Sequence, residues 1–393
     1  MNGIGTFLRE FLNCMKNEKM HISIIYFDYT IKDIKIEKKE KIKIYKLPYI
    51  DRGPFNTSFK DAFMVIKSYL PDSCDNIFHI HFTQFDDLIS QIRKNFPLSK
   101  TILTIHYQYW TWEIDGNSQL FQFIIRNQQD EKIKQDYRLL LSFYQKEIAY
   151  YNDCDRIVCL SKDTYNLLKN HYNIDAKKLV IIANGITDIK REVSYEQKKI
   201  LRKKLYLSES EILLLFVGRI ETAKGVDRLI TSFQEVLKTF PETRLILVGN
   251  MVNYMSSSKS NIKAWSKISF TGRLAPDEIL QLYELADIGI LPSYAEQCSY
   301  VGIEMMMHGL PVIASDGFGI RCMFHNDKNA KIAAIGNPMV TEEFEKNLTN
   351  EIIWLLSHKN QMKKLAQSGR IEYEKNYSLH KMRTKYLKLY KKV

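Results

Sequence analysis

Short apolar segments recur along the chain, separated by longer stretches in which apolar residues follow helical spacing. Near-continuous runs of Val, Ile and Leu indicate strands that are buried on both faces, as in a parallel sheet covered by helices. The pattern predicts two successive sets of β-α units, each a doubly wound α/β domain. The predicted strands lie in segments 100–107, 155–161, 178–185, 211–219, 243–250, 267–273, 287–293 and 310–316.

The charged stretch 187–211 separates the two sets of strands and contains few core-forming residues. We place the inter-domain linker at its start, which gives a first domain of residues 1–188 and a second of residues 189–376. Two domains also fit a chain of 393 residues, because one hydrophobic core seldom supports that length. The last segment, 377–393, is predicted to be a basic, amphipathic helix.

The N-terminal segment departs from this scheme, because Gly3 and Gly5 open a predicted helix that has no strand before it. In a doubly wound domain such a glycine turn follows the first strand. Either that strand is missing from this sequence, or the sheet begins with residues 21–27. A flexible terminus is the plain alternative.

Lysine alternates with isoleucine through residues 31–47, around a charged turn. One interpretation is a basic surface that contacts an anionic partner such as a membrane. The other is an edge hairpin whose lysines prevent aggregation.

The formal net charge of +12 is spread over both halves of the chain. This distribution argues against a nucleic-acid-binding arm and favours anionic ligands or an anionic surface. The six cysteines form no C-x-x-C pair, so we expect reduced thiols. No apolar run reaches the roughly 18–20 residues of a membrane span, so we expect a cytoplasmic protein.

Two cations and two glycines lie at and just after the end of the predicted strand 211–219. Gly218 and Arg219 end that strand, and Lys224 and Gly225 open the next helix. Arginine binds phosphate as a two-pronged donor and lysine as a point charge, while glycine allows close approach. This loop therefore predicts a diphosphate site, and its alternative is a solvated loop with incidental charge.

A second loop carries two carboxylates around a helix start. Ser299 is a good N-cap, so the N–H groups of Tyr300 and Val301 are available to an anion. Glu296 lies before the cap and Glu304 one turn into the helix. Because carboxylates accept from vicinal hydroxyls, this arrangement suits a sugar linked to a nucleotide. The alternative is a helix-start carboxylate and a buried salt bridge.

A third loop, in which Arg273 and Leu274 follow a predicted strand, offers backbone groups that would read a base edge.

These loops resemble the donor domain of the retaining glycosyltransferases of family four, which have the GT-B fold. The resemblance covers residues 100–393 and includes the strand and Asn-Gly turn at 179–186. It implies two doubly wound, Rossmann-like domains with parallel sheets facing a central cleft, and a C-terminal helix that crosses back to the first domain. The motif residues are Gly218, Arg219, Lys224, Gly225, Gly272, Pro292, Ser293, Glu296, Glu304, Gly309, Leu310, Pro311 and Val312.

By this resemblance, Arg219 and Lys224 hold the diphosphate, Glu296 contacts the donor sugar, and Glu304 binds the ribose hydroxyls. The first domain would bind the acceptor, with Gly3 and Gly5 in its acceptor-side glycine loop. His106, at the end of a predicted strand, would lie near the reacting sugar, and its alternative is a structural histidine. The donor is expected to be a UDP-sugar, with no cofactor and no metal ion.

One stretch departs from the family pattern. Many members carry Glu-Gly-Phe-Gly-Leu where this chain has Glu296-Gln297-Cys298-Ser299-Tyr300. The sugar pocket is therefore expected to be reshaped, and the transferred sugar does not follow by analogy.

The loop 107–112 is rich in aromatic residues, and Trp110 is our candidate for stacking on an acceptor sugar. Packing beneath the loop is the alternative. Two further motifs resemble metal sites. Asp153 and Asp155 have the Asp-x-Asp form but adjoin a strand, and His79 and His81 lack a further ligand at a clear spacing. We interpret both as structural.

The sequence thus predicts a cytoplasmic glycosyltransferase that acts in polysaccharide or other glycoconjugate synthesis and retains the anomeric configuration. Its acceptor is expected to be a glycan, a lipid-linked glycan or a peptide, with peripheral contact to an anionic membrane. The rival functions are a sugar-nucleotide epimerase of the same fold and a catalytically silent glycan-binding module.

Overall fold

The computed structural model describes residues 3–48, 58–81, 88–251, 264–338 and 340–393. Within these ranges the chain folds into two Rossmann-like α/β domains, which confirms the predicted fold class. The predicted strands in both domains are present and parallel.

The first domain contains two sheets within the described ranges. The mixed sheet has the order β1-β3-β2 and consists of β1 (Ser23–Asp28), β2 (Lys35–Lys39) and β3 (Ile42–Pro48). The parallel sheet has the order β4-β5-β6-β7 and consists of β4 (Ile77–Ile80), β5 (Lys100–Ile105), β6 (Arg156–Cys159) and β7 (Leu179–Ile181). The helices are α1 (Gly3–Met15), α2 (Ser58–Ile66), α3 (Leu88–Asn95), α4 (Trp110–Glu113), α5 (Ser118–Arg126), α6 (Glu131–Asp136), α7 (Arg138–Asn152) and α8 (Lys162–Asn170).

The lysine-rich segment forms the edge hairpin that the sequence offered as one interpretation. Strand β2 is antiparallel to β3, with Lys35 opposite Lys46, and all five of its residues are exposed. The predicted start of the sheet at 21–27 corresponds to β1, which pairs with β3 and not with β4. Because β2 is exposed on both faces, this sheet lacks the two-sided cover of β4–β7.

The second domain has one parallel sheet in the order β10-β9-β8-β11-β12-β13. Its strands are β8 (Ile212–Val217), β9 (Thr243–Val248), β10 (Ile268–Gly272), β11 (Ile288–Leu291), β12 (Val312–Ser315) and β13 (Lys331–Ala333). Its helices are α9 (Tyr195–Lys204), α10 (Val226–Thr239), α11 (Pro276–Leu285), α12 (Tyr300–His308), α13 (Thr341–Ser357) and α14 (Lys359–Glu372), followed by α15 (Leu379–Tyr390).

Helices cover both faces of this second sheet, which explains its continuous apolar strands. Leu214 and Phe216 of β8 belong to one core cluster with Phe233 of α10 and Leu348 of α13. Leu215 points to the other face, into a cluster that includes the methionines of α12. The short β13 was not predicted, because three residues give too little pattern to recognise.

The last helix returns to the first domain, as predicted. Helix α15 contacts α1, and a 2.6 Å hydrogen bond joins the Tyr390 hydroxyl to Nδ1 of His79. The chain passes between the two domains twice, near Ile186 and near Tyr377. These two segments lie side by side, since the N–H of Ile186 donates to the carbonyl of Tyr377 at 3.1 Å. Residues from both domains therefore meet α1 and α15 in one continuous core.

Candidate active site

The carboxyl ends of β8, β9 and β10 meet at one edge of the second sheet, and each carries a glycine. The N–H of Gly249 donates to the carbonyl of Gly272, and that of Gly218 donates to Val248, both at 2.9 Å. A Cβ on Gly249 would overlap the carbonyl oxygen of Gly218, so this position admits only glycine. Ligands of such sheets bind at this edge.

The loop after β8 holds the predicted phosphate-binding cations. Arg219 is half-exposed and pairs with Glu221 at 2.9 Å. Residues 222–224 form a single 3₁₀ turn, and Gly225 then adopts a left-handed φ of +66° before α10 begins. A Cβ on Gly225 would overlap the carbonyl of Pro292, so the loop lies tightly against the end of β11.

Lys224 and Glu296 are brought into direct contact. Nζ of Lys224 lies 2.6 Å from Oε1 of Glu296, and the two side chains are only 18% and 21% exposed. The hydroxyl of Ser293 approaches the same carboxylate oxygen at 3.4 Å. The loops after β8 and β11, 72 residues apart along the chain, thus form one charged site.

Helix α12 begins beside this pair, with the predicted cap. The Ser299 hydroxyl accepts from the N–H of Gly302 at 3.2 Å. The N–H groups of Tyr300 and Val301 belong to the first turn, outside the helical hydrogen-bond ladder. The N-terminus of α12 therefore carries partial positive charge, and its cap follows Glu296 by three residues along the chain.

Glu304 lies within α12 and is held from α11. The hydroxyl of Tyr283 donates to its Oε2 at 2.8 Å. Burial raises the pKa of Glu304 from 4.5 to about 7, and Glu10 of α1 adds to this effect, while Tyr283 and Arg9 lower the pKa. The carboxyl predicted to bind ribose thus titrates near neutral pH.

The raised pKa makes a prediction about stability. The folded protein holds the Glu304 proton more tightly than the unfolded chain, so burial of this group costs stability as pH rises from about 4.5 to about 7. Glu304→Gln keeps an acceptor for Tyr283 and removes that cost. We expect the melting temperature of the variant, relative to wild type, to be higher at pH 8 than at pH 5. Exposed Glu196→Gln serves as the control, and an equal difference at both pH values would contradict the assignment.

His106 follows β5 and lies beneath α1. Its Nε2 is 3.2 Å from Nδ1 of His81, and its ring packs edge-on against Phe7 at 4.7 Å between centroids. Burial lowers the pKa of His106 to about 3, so the imidazole is neutral. His79 bonds to Tyr390 and to the Thr104 hydroxyl. These contacts give His79 a structural part, and they place His106 against first-domain side chains.

The structure differs from the prediction for Trp110. Trp110 is 1% exposed and packs against Phe121 and Phe318, so its ring offers no free face for a sugar. Trp112 in the same loop is 71% exposed. Glu147 anchors this loop by accepting from the N–H of Tyr109 at 3.1 Å.

Four predicted site residues remain: Gly3 and Gly5 in the first domain, and Arg273 and Leu274 in the loop predicted to contact the base. Gly3 and Gly5 both lie in the first turn of α1, at the start of the helix that the sequence predicts there. Arg273 is exposed and Leu274 half-buried in the loop between β10 and α11.

Asp155 is bonded to residues of β5 and α3. Its Oδ2 accepts from the N–H and hydroxyl of Thr101 at 2.8 and 2.9 Å, and Arg93 lies 3.3 Å from Oδ1. Asp153 is exposed at the end of α7. Within the described ranges, no group of three or more His, Cys, Asp or Glu side chains is arranged to hold a metal ion.

Several contacts across the cleft were not predicted. The Thr164 hydroxyl of α8 donates to Oε1 of Gln297, and Nδ2 of Asn184 donates to the carbonyl of Cys298 at 2.8 Å. Asp163 accepts from the N–H of Gly319, also at 2.8 Å. In the sequence, the departure of residues 297–298 from the family pattern was the one sign that this loop differs from that of other members.

Two family models match the chain. Residues 1–188 match Glycosyltransferase Family 4, and residues 197–372 match Glycosyl transferases group 1. The chain belongs to the group 1 glycosyltransferases of family four. The second of these matches includes the charged loops after β8 and β11 and the N-terminus of α12.

Two comparisons place this family member among known proteins. The alpha-monoglucosyldiacylglycerol synthase of Streptococcus pneumoniae is 30% identical over 171 residues, which are 42% of this chain and 38% of that protein. The sucrose-phosphate synthase of Thermosynechococcus elongatus shares the fold, with a TM-score of 0.76 and 18% identity over 100% of this chain and 93% of the other.

A third comparison comes from Anabaena. The HepE protein, solved with UDP and glucose, has a TM-score of 0.67 and 14% identity, over 90% of this chain and 86% of the other. The matched stretches span less than half the length of the curated relatives. In the described part of this glycosyltransferase, no helix has both the length and the apolar character needed to cross a membrane.

Proposed function

We propose that the chain transfers a sugar from a nucleotide diphosphate sugar, a UDP-sugar in the simplest case, to an acceptor hydroxyl with retention of configuration. The observation that carries this proposal is the 2.6 Å contact between Lys224 and Glu296 beside the N-terminus of α12. It puts a cation for a diphosphate next to an acceptor for sugar hydroxyls.

Transition-state stabilisation in this proposal is electrostatic. As the bond from the anomeric carbon to the diphosphate oxygen breaks, Lys224, Arg219 and the first turn of α12 stabilise the negative charge on the leaving group. The acceptor oxygen forms the new bond on the same face, and its proton passes to the departing phosphate oxygen. Because two cations and a helix terminus neutralise the diphosphate, the step is proposed to need no divalent metal.

A thermal-shift panel with UDP, GDP and ADP, followed by their sugars, tests the proposed function. We expect one nucleotide diphosphate to stabilise the protein, and its sugar to be consumed in the presence of EDTA. Turnover of donor without acceptor, giving an altered sugar or nucleotide, would favour the epimerase. Absence of stabilisation by any nucleotide would favour the silent binding module, and loss of turnover with EDTA would overturn metal independence.

We further propose an acceptor that is displayed on an anionic membrane, contacted by the β2–β3 hairpin of a cytoplasmic, peripheral protein. Lys35, Lys38, Lys39 and Lys41 are all exposed on this hairpin. Each lysine near an anionic bilayer adds up to about 1 kcal/mol of attraction. The name of the pneumococcal relative, which denotes a glucosylated lipid product, supports this acceptor class.

Reversal of these four lysines to glutamate is expected to abolish co-sedimentation with anionic vesicles at low salt. The matched control reverses four exposed second-domain lysines, Lys359, Lys363, Lys364 and Lys375, for the same change in net charge. Equal pelleting of both variants would show that the hairpin is only a protected sheet edge.

A further inference from the structure

The loop that departs from the family pattern is joined to the first domain by its side chains. Gln297 is 7% exposed, although glutamine is usually a surface residue. Its Oε1 accepts from the hydroxyl of Thr164, which is fully buried at the start of α8. Ser161, the N-cap of α8, shares a 2.9 Å hydrogen bond with the same threonine hydroxyl. A chain of hydroxyls therefore fixes the Gln297 amide across the cleft.

Two more first-domain side chains, Asn184 and Asp163, hold the flanks of this loop. The carbonyl of Cys298 accepts from Asn184 at 2.8 Å. Asp163 accepts from the N–H of Gly319 and pairs with Arg321, both at 2.8 Å. Gly319 is packed so closely on the backbone of Glu296 that a Cβ would overlap its carbonyl oxygen. First-domain groups thus clamp the loop from Glu296 to Cys298 on both sides.

The other end of the Gln297 amide has no such contact. Among the described residues, its Nε2 is buried without a hydrogen-bond partner. A buried donor that has lost water and gained no acceptor destabilises the folded protein, so native structures seldom retain one without a reason. The adjacent residue is Glu296, whose carboxylate lies 2.6 Å from Lys224. An oxygen of a sugar bound beside that pair would supply the missing acceptor.

We propose that Gln297 is a specificity-determining residue that donates from Nε2 to an oxygen of the transferred sugar, and that Thr164 is its positioning residue. This inference rests on the proposed function and deepens it. The ligand class is a sugar with a hydroxyl or an amide carbonyl oxygen at the recognised position. Because Thr164 belongs to the first domain, the amide is oriented only when the two domains are closed, which couples closure to recognition of the sugar.

A donor panel tests this proposal. The probes are UDP, UDP-glucose, its C4 epimer UDP-galactose, and UDP-N-acetylglucosamine, with the corresponding GDP and ADP compounds. The variants are Gln297→Ala, Thr164→Val and Thr164→Ser. Thr349→Val is the matched control, since it removes a hydroxyl that bonds within α13 to Glu345 at 2.8 Å.

For Gln297→Ala we expect kcat/KM for the preferred sugar to fall 10- to 100-fold. The ratio of kcat/KM for the preferred sugar to kcat/KM for its epimer should fall below about 3. The affinity of the variant for the sugar-free nucleotide diphosphate should change less than about 2-fold. Thr164→Val should also lower kcat for the preferred sugar. Thr164→Ser should keep kcat close to the wild-type value, because serine keeps the hydroxyl. Thr349→Val should leave all values unchanged.

Three outcomes would contradict this inference, and only the last of them also contradicts the proposed function. If wild-type protein discriminates between sugars and the Gln297 and Thr164 variants discriminate equally well, Gln297 only joins the domains and the inference is wrong. The same conclusion holds if the variants lower activity equally for every sugar. If wild-type protein binds none of the nucleotides, the proposed function fails, and the inference fails with it.

Discussion

Lys224→Ala is expected to weaken binding of the nucleotide diphosphate by about 10- to 100-fold. A hydrogen bond to a charged group is worth roughly 1.5–3 kcal/mol, which corresponds to that range of affinity. Lys224 is largely enclosed, so water screens its charge less than that of a surface lysine. Arg219→Ala should give a loss in the same range, and calorimetric titration with UDP, GDP and ADP measures both.

Helix α10, which follows the loop of Lys224, provides a matched control. Lys238 pairs with Glu235 at 2.6 Å, the distance of the Lys224–Glu296 contact, but its side chain is 71% exposed. Lys238→Ala should leave nucleotide affinity unchanged.

Glu296→Gln should change the affinity in the opposite direction. It removes the carboxylate that occupies Lys224 and repels phosphate, so we expect tighter binding of the nucleotide diphosphate alone together with slower sugar transfer. If Arg219→Ala and Lys224→Ala both bind nucleotide as wild type does, the diphosphate site lies elsewhere.

The convergence of Lys224 and Glu296 could be predicted because it follows from topology. Near-continuous apolar runs indicate parallel strands, and parallel strands bring their carboxyl ends to one edge of the sheet. The start of α12 was predictable for a local reason, since Ser299 caps it and Gly309 ends it at a left-handed φ of +67°. Both features depend on residues that are close in sequence or on strand order alone.

The positions of His106 and Trp110 depend on contacts that no local pattern encodes. His106 is covered by Phe7, and Trp110 packs against Phe318 of the other domain. The bond between Thr164 and Gln297 likewise joins residues 133 apart in the chain. A single sequence shows the types of these residues, but the relative placement of α1, α8 and the two domains decides which of their faces are covered.

Gly225→Ala is expected to lower the melting temperature more than any glycine substitution that adds only backbone strain. Two penalties combine at this position. An L-residue held at a left-handed φ costs about 1–3 kcal/mol, and the new Cβ would overlap the carbonyl oxygen of Pro292. Since that oxygen is backbone at the end of β11, relief requires the loop carrying Lys224 to move away from Glu296.

Gly272→Ala separates the two penalties. Gly272 has nearly the same φ, +68° against +66° for Gly225, but no atom lies within 4 Å of a Cβ built there. Its substitution should therefore cost only the strain, roughly 2–4 °C per kcal/mol for a domain of this size. We expect the fall in melting temperature for Gly225→Ala to be at least twice the fall for Gly272→Ala. Because the displaced loop carries Lys224, the Gly225 variant should also lose nucleotide-induced stabilisation. Equal losses in the two variants would show that the β8 loop does not depend on its close contact with β11.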